Sequence, residues 1–228
     1  MEYRVSRMVA GPLLRAFARP QVTGLEHIPA EGGAIIASNH LSIVDSIYLP
    51  LMVPRPVTFA AKSEYFTGTR LIDRLTAAYL RATNQLAVDR TGPRAAQDML
   101  EAALERLRGG DLFGIYPEGT RSPDGRLYRG RIGVGWLVVN SGLPVIPVAM
   151  KDTDRVLAPG RIIPHPARIQ IIIGKPLTFG PEMLQGPGGK VRRTITDEVM
   201  RAIGELSGQE YVPVYASAHK EELAAAKS

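Results

Sequence analysis

With 228 residues, 45% hydrophobic and 22% charged, the chain can hide about 70% of its unfolded surface in one large domain, which excludes a wholly disordered polymer. Cysteine is absent and the four histidines stand far apart at 27, 40, 165 and 219, which excludes a disulfide framework, a thiolate metal site and a thiol nucleophile, with no zinc cluster expected. A net charge of +6 and a pI near 9.7 point to anionic partners (nucleic acid, membrane headgroups or phosphorylated substrates), the alternative being a solvated basic surface.

Placed on a helix, Arg4, Arg7, Arg15 and Arg19 fall on one face and Val5, Val9, Leu13, Leu14 and Phe17 on the other. Residues 1–20 therefore read as a basic amphipathic helix suited to a membrane surface, with a core-docked helix as the alternative. No apolar run or small-residue cleavage site follows Arg4 and Arg7, so no secretory signal is expected. The longest uncharged run, Ile132 to Met150, is broken by Asn140-Ser141-Gly142, Pro144 and Pro147. It reads as a helix, a turn and a buried strand, not as a membrane span.

Gln21–Thr23 and Gly33–Ser38 read as strands, and Ile43–Val53 as a helix ended by Pro54 and Pro56. Strand Val57–Ala60, helix Thr69–Leu80 and strand Leu86–Val88 follow. Helix Arg94–Arg108 is closed by Gly109-Gly110. Leu112–Tyr116, Val145–Met150 and Ile169–Ile173 are apolar strand runs, and Val191–Leu206 is a last helix. Alternating strands and helices predict an α/β domain over residues 21–210, with a mostly parallel central sheet flanked by helices and its site at the strands' carboxyl ends. Residues 211–228 are expected to form a loosely packed tail, disordered from Glu221 to Lys227. Aromatics make up only 6%, and no helix-turn-helix or stacking platform supports a nucleic-acid partner.

Two motifs carry chemistry. Asn39-His40-Leu41-Ser42-Ile43-Val44-Asp45 follows a buried strand and opens a helix. Five helical steps carry Asp45 about 140° away from His40, but a bend after His40 would let the carboxylate reach the imidazole. It would then hold one tautomer and leave the other nitrogen as a general base. The competing reading is a capping box, with Ser42 as the cap and Asp45 at its third position, and the two are compatible. The second motif, Tyr116-Pro117-Glu118-Gly119-Thr120-Arg121-Ser122, follows an apolar strand. Arg121 offers a fork matched to phosphate or carboxylate, Gly119 lets backbone N–H groups approach an anion, and Glu118 can hold a hydroxyl or brace a cation. A polar hairpin is the alternative there. His27, His165 and His219 are read as solvated loop residues, and Trp136 as part of the core face of its helix.

In this order and spacing, the two motifs resemble those of the glycerolipid acyltransferases of the 1-acylglycerol-3-phosphate type. Val88-Asp89-Arg90, Ala61-Lys62-Ser63-Glu64 and Leu143 to Val148 resemble further blocks of that family, so the resemblance runs from about Val22 to Gly174. It implies His40 as general base on the acceptor hydroxyl and Asp45 as its orienting carboxylate. It implies an acceptor phosphate bound by Lys62, Arg90 and Arg121, with Glu118, Gly119 and Thr120 around it. The reaction implied is direct acyl transfer from acyl-CoA or acyl-carrier protein to the free hydroxyl of 1-acylglycerol 3-phosphate, giving phosphatidate without metal or cofactor. The first helix would hold the chain at the cytoplasmic face of the cell membrane, peripherally or monotopically. Another acceptor (a lyso-ornithine lipid, a glycolipid or glycerol 3-phosphate) and a non-catalytic anionic-lipid-binding protein are the competing readings.

Overall fold

A strand with a continuous apolar run such as Ala34–Ala37 has both faces buried, so Ala34–Ser38 belongs at the centre of a covered sheet. The computed structural model describes residues 2–89 and 94–225. The elements run α1 (Glu2–Ala18), β1 (Gln21–Thr23), β2 (Ala34–Ser38), α2 (Asp45–Met52), β3 (Val57–Lys62), α3 (Leu71–Ala82), β4 (Leu86–Val88), α4 (Ala95–Arg108), β5 (Leu112–Ile115), β6 (Leu127–Tyr128), α5 (Gly133–Ser141), β7 (Val145–Lys151), α6 (Thr153–Val156), β8 (Gln170–Ile173), α7 (Gly188–Ser207), β9 (Tyr211–Val212) and α8 (Ala216–Ala225). Seven strands form one sheet in the order β1-β8-β7-β2-β5-β3-β4. Every neighbouring pair is parallel except β7 and β8, so the sheet is mostly parallel, as the alternation of strands and helices predicts.

Alternation along β2 divides the core. Ala34 and Ile36 join the layer that holds residues of α1 and α2, whereas Ile35 and Ala37 join the layer of α4, α5 and α7. The central pair β2 and β5 runs parallel, with Ile36 opposite Gly114. The loops leaving both strands therefore emerge side by side at one edge of the sheet.

Helix α1 presents Ala10, Leu14 and Ala18 to the core. Its Tyr3 hydroxyl donates to the Pro50 carbonyl at 2.6 Å, and the Tyr48 hydroxyl of α2 donates to Leu14 O at 3.2 Å. The apolar side of this helix is thus split. Leu14 faces inward, while Met8 (77% exposed), Leu13 (70%) and Phe17 (36%) face out. The side chains of Arg4, Val5 and Val9 lie outside those described. Among the described residues, no helix is long and apolar enough to cross a membrane.

Three expectations change. The helix predicted from Ile43 begins at Asp45, because the Asp45 carboxylate folds back over the amides of Leu41 and Ser42 and holds 41–44 as a turn. Residues 211–225, expected as a loosely packed tail, form β9, which pairs with β6, and α8, whose first residue Ala216 is fully buried. Their anchors are residues of the second motif's loop, which linear periodicity does not connect to them. Of the histidines expected in solvent, only His165 is exposed. The His27 ring lies 2.9 Å from Ile173 O, and the His219 ring stacks on Tyr128 with centroids 5.6 Å apart.

Helix α5 crosses α7 so closely that a Cβ at Gly135 would lie 2.2 Å from the Arg192 carbonyl oxygen, which no side chain can relieve. Gly135→Ala is expected to cost about 1–3 kcal/mol through overpacking, read as a lower urea midpoint at unchanged slope. Gly133→Ala, whose Cβ would meet Leu100 at an ordinary 3.4 Å, should be tolerated.

Candidate active site

The chain must leave β2 at a fixed point for His40 to be useful, and Asn39 supplies that point. Its buried amide accepts from Met150 N at 2.7 Å and donates to Met150 O at 2.9 Å, continuing the β2–β7 pairing by one side chain. It also donates to Gln209 Oε1 at 2.8 Å, which ties the end of α7 to the site. The next residue, His40, turns its ring toward Asp45. Asp45 Oδ2 lies 2.8 Å from His40 Nδ1 and accepts from the amides of Leu41 and Ser42 at the same distance. The Asp45 side chain is fully buried and that of His40 is 16% exposed. An ionised carboxylate only accepts, so Nδ1 carries the proton and Nε2 keeps its lone pair. Among the described residues, Nε2 has no hydrogen-bond partner. The bend after His40 therefore brings the pair together. Only half of the capping box forms: Asp45 accepts from Ser42 N, while the Ser42 hydroxyl donates to Leu157 O at 2.5 Å.

Tyr116, the first residue of the second motif, stacks on the imidazole with centroids 3.9 Å apart and planes 9° from parallel. Phe59 of β3 stacks behind it at 5.0 Å. The Tyr116 hydroxyl shares a 3.0 Å hydrogen bond with Ser46 Oγ. Burial, then the Asp45 charge, pushes its pKa well above the ordinary tyrosine value, so it stays neutral. The stack, together with the Asp45 bond, restrains the ring in its own plane and about its Cβ–Cγ axis. Tyr116 is legible in the sequence as the first residue of the second motif but not as a support of His40, because the two residues are far apart in sequence.

The second motif also grips His40 by its backbone. Glu118 is 1% exposed, and its Oε2 accepts from His40 N at 3.1 Å while its Oε1 accepts from Tyr128 N at 2.9 Å. Ser122 N donates to His40 O at 2.7 Å. Burial pushes the Glu118 carboxyl up to about 7 against the pull of the two amides; Asp45 adds to the rise and Lys220 opposes it. Gly119 sits at φ +74°, a backbone conformation that favours glycine, and a Cβ there would also displace the Arg131 side chain, whose Cδ and Nε lie 2.9 Å away. The Thr120 hydroxyl accepts from Lys220 Nζ at 2.7 Å. Arg121 is half-buried.

The structure brings His40, Asp45, Glu118, Gly119, Thr120 and Arg121 together at one sheet edge. Lys62 is exposed at the end of β3, three residues beyond the Phe59–Gly114 pair and so level with the start of the second motif. Arg90 lies outside the described residues. Trp136 is half-buried and packs against the core, as read from the sequence.

A family model described as Acyltransferase matches residues 19–151. A chloroplastic 1-acyl-sn-glycerol-3-phosphate acyltransferase of Brassica napus is 28% identical over 176 residues, covering 76% of this chain and 49% of the relative. A 1-acyl-sn-glycerol-3-phosphate acyltransferase of Pseudomonas aeruginosa is 32% identical over 175 residues, covering 75% of this chain and 61% of the relative. The chain thus spans about half the length of the plant relatives it matches. The crystal structure of a 1-acyl-sn-glycerophosphate acyltransferase from Thermotoga maritima superposes with a TM-score of 0.62 at 27% identity, over 89% of this chain and 82% of that one.

Glu118 titrates with a defined sign. Its folded pKa of about 7 lies above the ordinary 4.5, so its contribution to stability is full below the unfolded value and is lost as pH rises through about 7. Urea midpoints measured from pH 5 to pH 8 should fall in the wild type, and Glu118→Gln should flatten part of that fall. Parallel slopes in the two proteins would contradict the assignment.

Proposed function

Because this chain belongs to the Acyltransferase family, we propose that it transfers a fatty acyl group from acyl-CoA or acyl-carrier protein to the free hydroxyl of 1-acylglycerol 3-phosphate, forming phosphatidate. The observation that carries this reading is the 2.8 Å His40 Nδ1–Asp45 bond, which leaves Nε2 without a hydrogen-bond partner among the described residues.

In this reading, Nε2 takes the acceptor's hydroxyl proton as that oxygen attacks the thioester carbonyl. The imidazolium so formed is stabilised by the buried Asp45 carboxylate and held flat by Tyr116. Collapse of the tetrahedral intermediate breaks the carbon–sulfur bond, and the departing thiolate receives the proton from Nε2. The enzyme ends as it began, and the ester oxygen is the acceptor's own. Arg121 suits the acceptor phosphate by its planar fork, and Lys62 and Arg90 are assigned to the same phosphate. Glu118, expected near the acceptor, has both oxygens occupied by backbone amides. Through these two bonds it also positions the His40 backbone.

Substrate and product are both amphiphiles, so access from a lipid surface is part of the proposal. The outward Met8, Leu13 and Phe17 of α1 suit peripheral insertion at the cytoplasmic face of the membrane, with Arg7 and Arg15 of the same helix for anionic headgroups.

The test of the chemistry is thiol release from palmitoyl-CoA, with and without 1-acylglycerol 3-phosphate, with the lipid products resolved. Release should require the acceptor and yield phosphatidate, and His40→Ala should lower kcat by about 10²–10⁴-fold. Asp45→Asn should act in the same direction by supporting the wrong tautomer. Acceptor-dependent turnover retained in folded His40→Ala would sink the mechanism. For the membrane arm, sedimentation with anionic vesicles should weaken as salt rises, and Leu13→Asp with Phe17→Asp should abolish it while leaving the melting temperature unchanged.

A further inference from the structure

The cations around the second motif are not all supplied by that motif. Helix α8 is seated on the 118–131 stretch at several points. The guanidinium groups of Arg129 and Arg131 lie over the Tyr215 ring, 5.6 and 5.2 Å from its centroid. Arg131 donates to Ser217 Oγ at 3.0 Å, and the His219 ring covers Tyr128. Ala216 is fully buried beneath them. This seating aims Lys220 back across 100 residues of sequence to Thr120, the hydroxyl between Gly119 and Arg121.

Among the described residues, neither Lys220 nor Arg121 is ion-paired with a carboxylate. Glu118 is near enough to act on the Lys220 charge, but its two oxygens are committed to amides. The Arg121 and Lys220 charges repel each other, and an anion lying between them would relieve that repulsion. Burial first, and then the Arg121 charge, lowers the Lys220 pKa from its ordinary value. An ammonium has three donors, of which Thr120 takes one, leaving two for a ligand.

We propose that Lys220 is a phosphate ligand of the acceptor, delivered by α8 and held by Thr120 so that it shares the anion with Arg121. This rests on the reading that the Glu118–Arg121 loop receives the phosphate of 1-acylglycerol 3-phosphate. The helix lies outside the stretch shared with the family, so the recurrent motifs do not supply this contact. A charge-assisted hydrogen bond with good geometry makes Lys220 a determinant of acceptor affinity rather than of the chemical step.

The test is steady-state kinetics on the full chain carrying Lys220→Met, which keeps the aliphatic stem, and Lys220→Arg, which keeps the charge. Lys220→Met should raise KM for 1-acylglycerol 3-phosphate by about 10-fold or more, as expected for a hydrogen bond to a charged group. It should leave kcat and the KM for palmitoyl-CoA within a few-fold and the ligand-free melting temperature unchanged. Lys220→Arg should recover most of the loss. A separate arm needs no turnover: sn-glycerol 3-phosphate should raise the melting temperature of the wild type and do so less in Lys220→Met. An unchanged acceptor KM, a rise in the donor KM instead, or a fall in kcat together with melting temperature would each overturn the proposal. Absence of turnover in the wild type would overturn the functional reading, while equal protection of wild type and variant by sn-glycerol 3-phosphate would overturn the Lys220 assignment by itself.

Discussion

One buried carboxylate oxygen, Asp45 Oδ2, receives three N–H groups at 2.8 Å, from His40, Leu41 and Ser42. An isolated charge at full burial is costly, and these charge-assisted bonds are what make it tolerable. The same knot delays the start of α2, forces the turn after His40 and sets which imidazole nitrogen carries the proton. It also leaves the other oxygen, Oδ1, without a protein partner among the described residues. Orientation of the ring and stabilisation of its charged form follow from a single contact.

A second buried acid completes the support from the opposite strand. Glu118 joins the amides of His40 and Tyr128, and Ser122 N closes on His40 O. His40 is thus held through its backbone by the β5 loop and through its side chain by the β2 loop. Neither loop could do this alone. The two loops lie together because β2 and β5 are parallel neighbours at the middle of the sheet, with the apolar layers of α1–α2 and α4–α5–α7 above and below. Tyr116 and Phe59 then extend the core stack up to the imidazole, so packing and chemistry meet on one face of one ring.

The first and last helices take opposite parts in this arrangement. Helix α1 gives its small and hydrogen-bonding positions to the core and turns Met8, Leu13 and Phe17 outward, which suits the lipid-surface access proposed above. Helix α8 instead closes over the second motif, with Tyr215, Ser217, His219 and Lys220 engaging the arginines, the tyrosine and the threonine of that stretch.

The strand and helix alternation, the covered central strand and the His40–Asp45 pairing were legible in the linear chain, because each depends on local periodicity or on residues no more than five apart. Element ends moved by a few residues where side chains captured backbone amides, as at Asp45. Only the tertiary structure decided that Glu118 binds two backbone amides, that Tyr116 stacks on the His40 ring, and that a stretch read as a loose tail holds a helix set against Thr120. These depend on contacts 10 to 100 residues apart. No sequence pattern records such contacts, since they are created when the parallel sheet brings its carboxyl-end loops to one edge and the last helix packs across them.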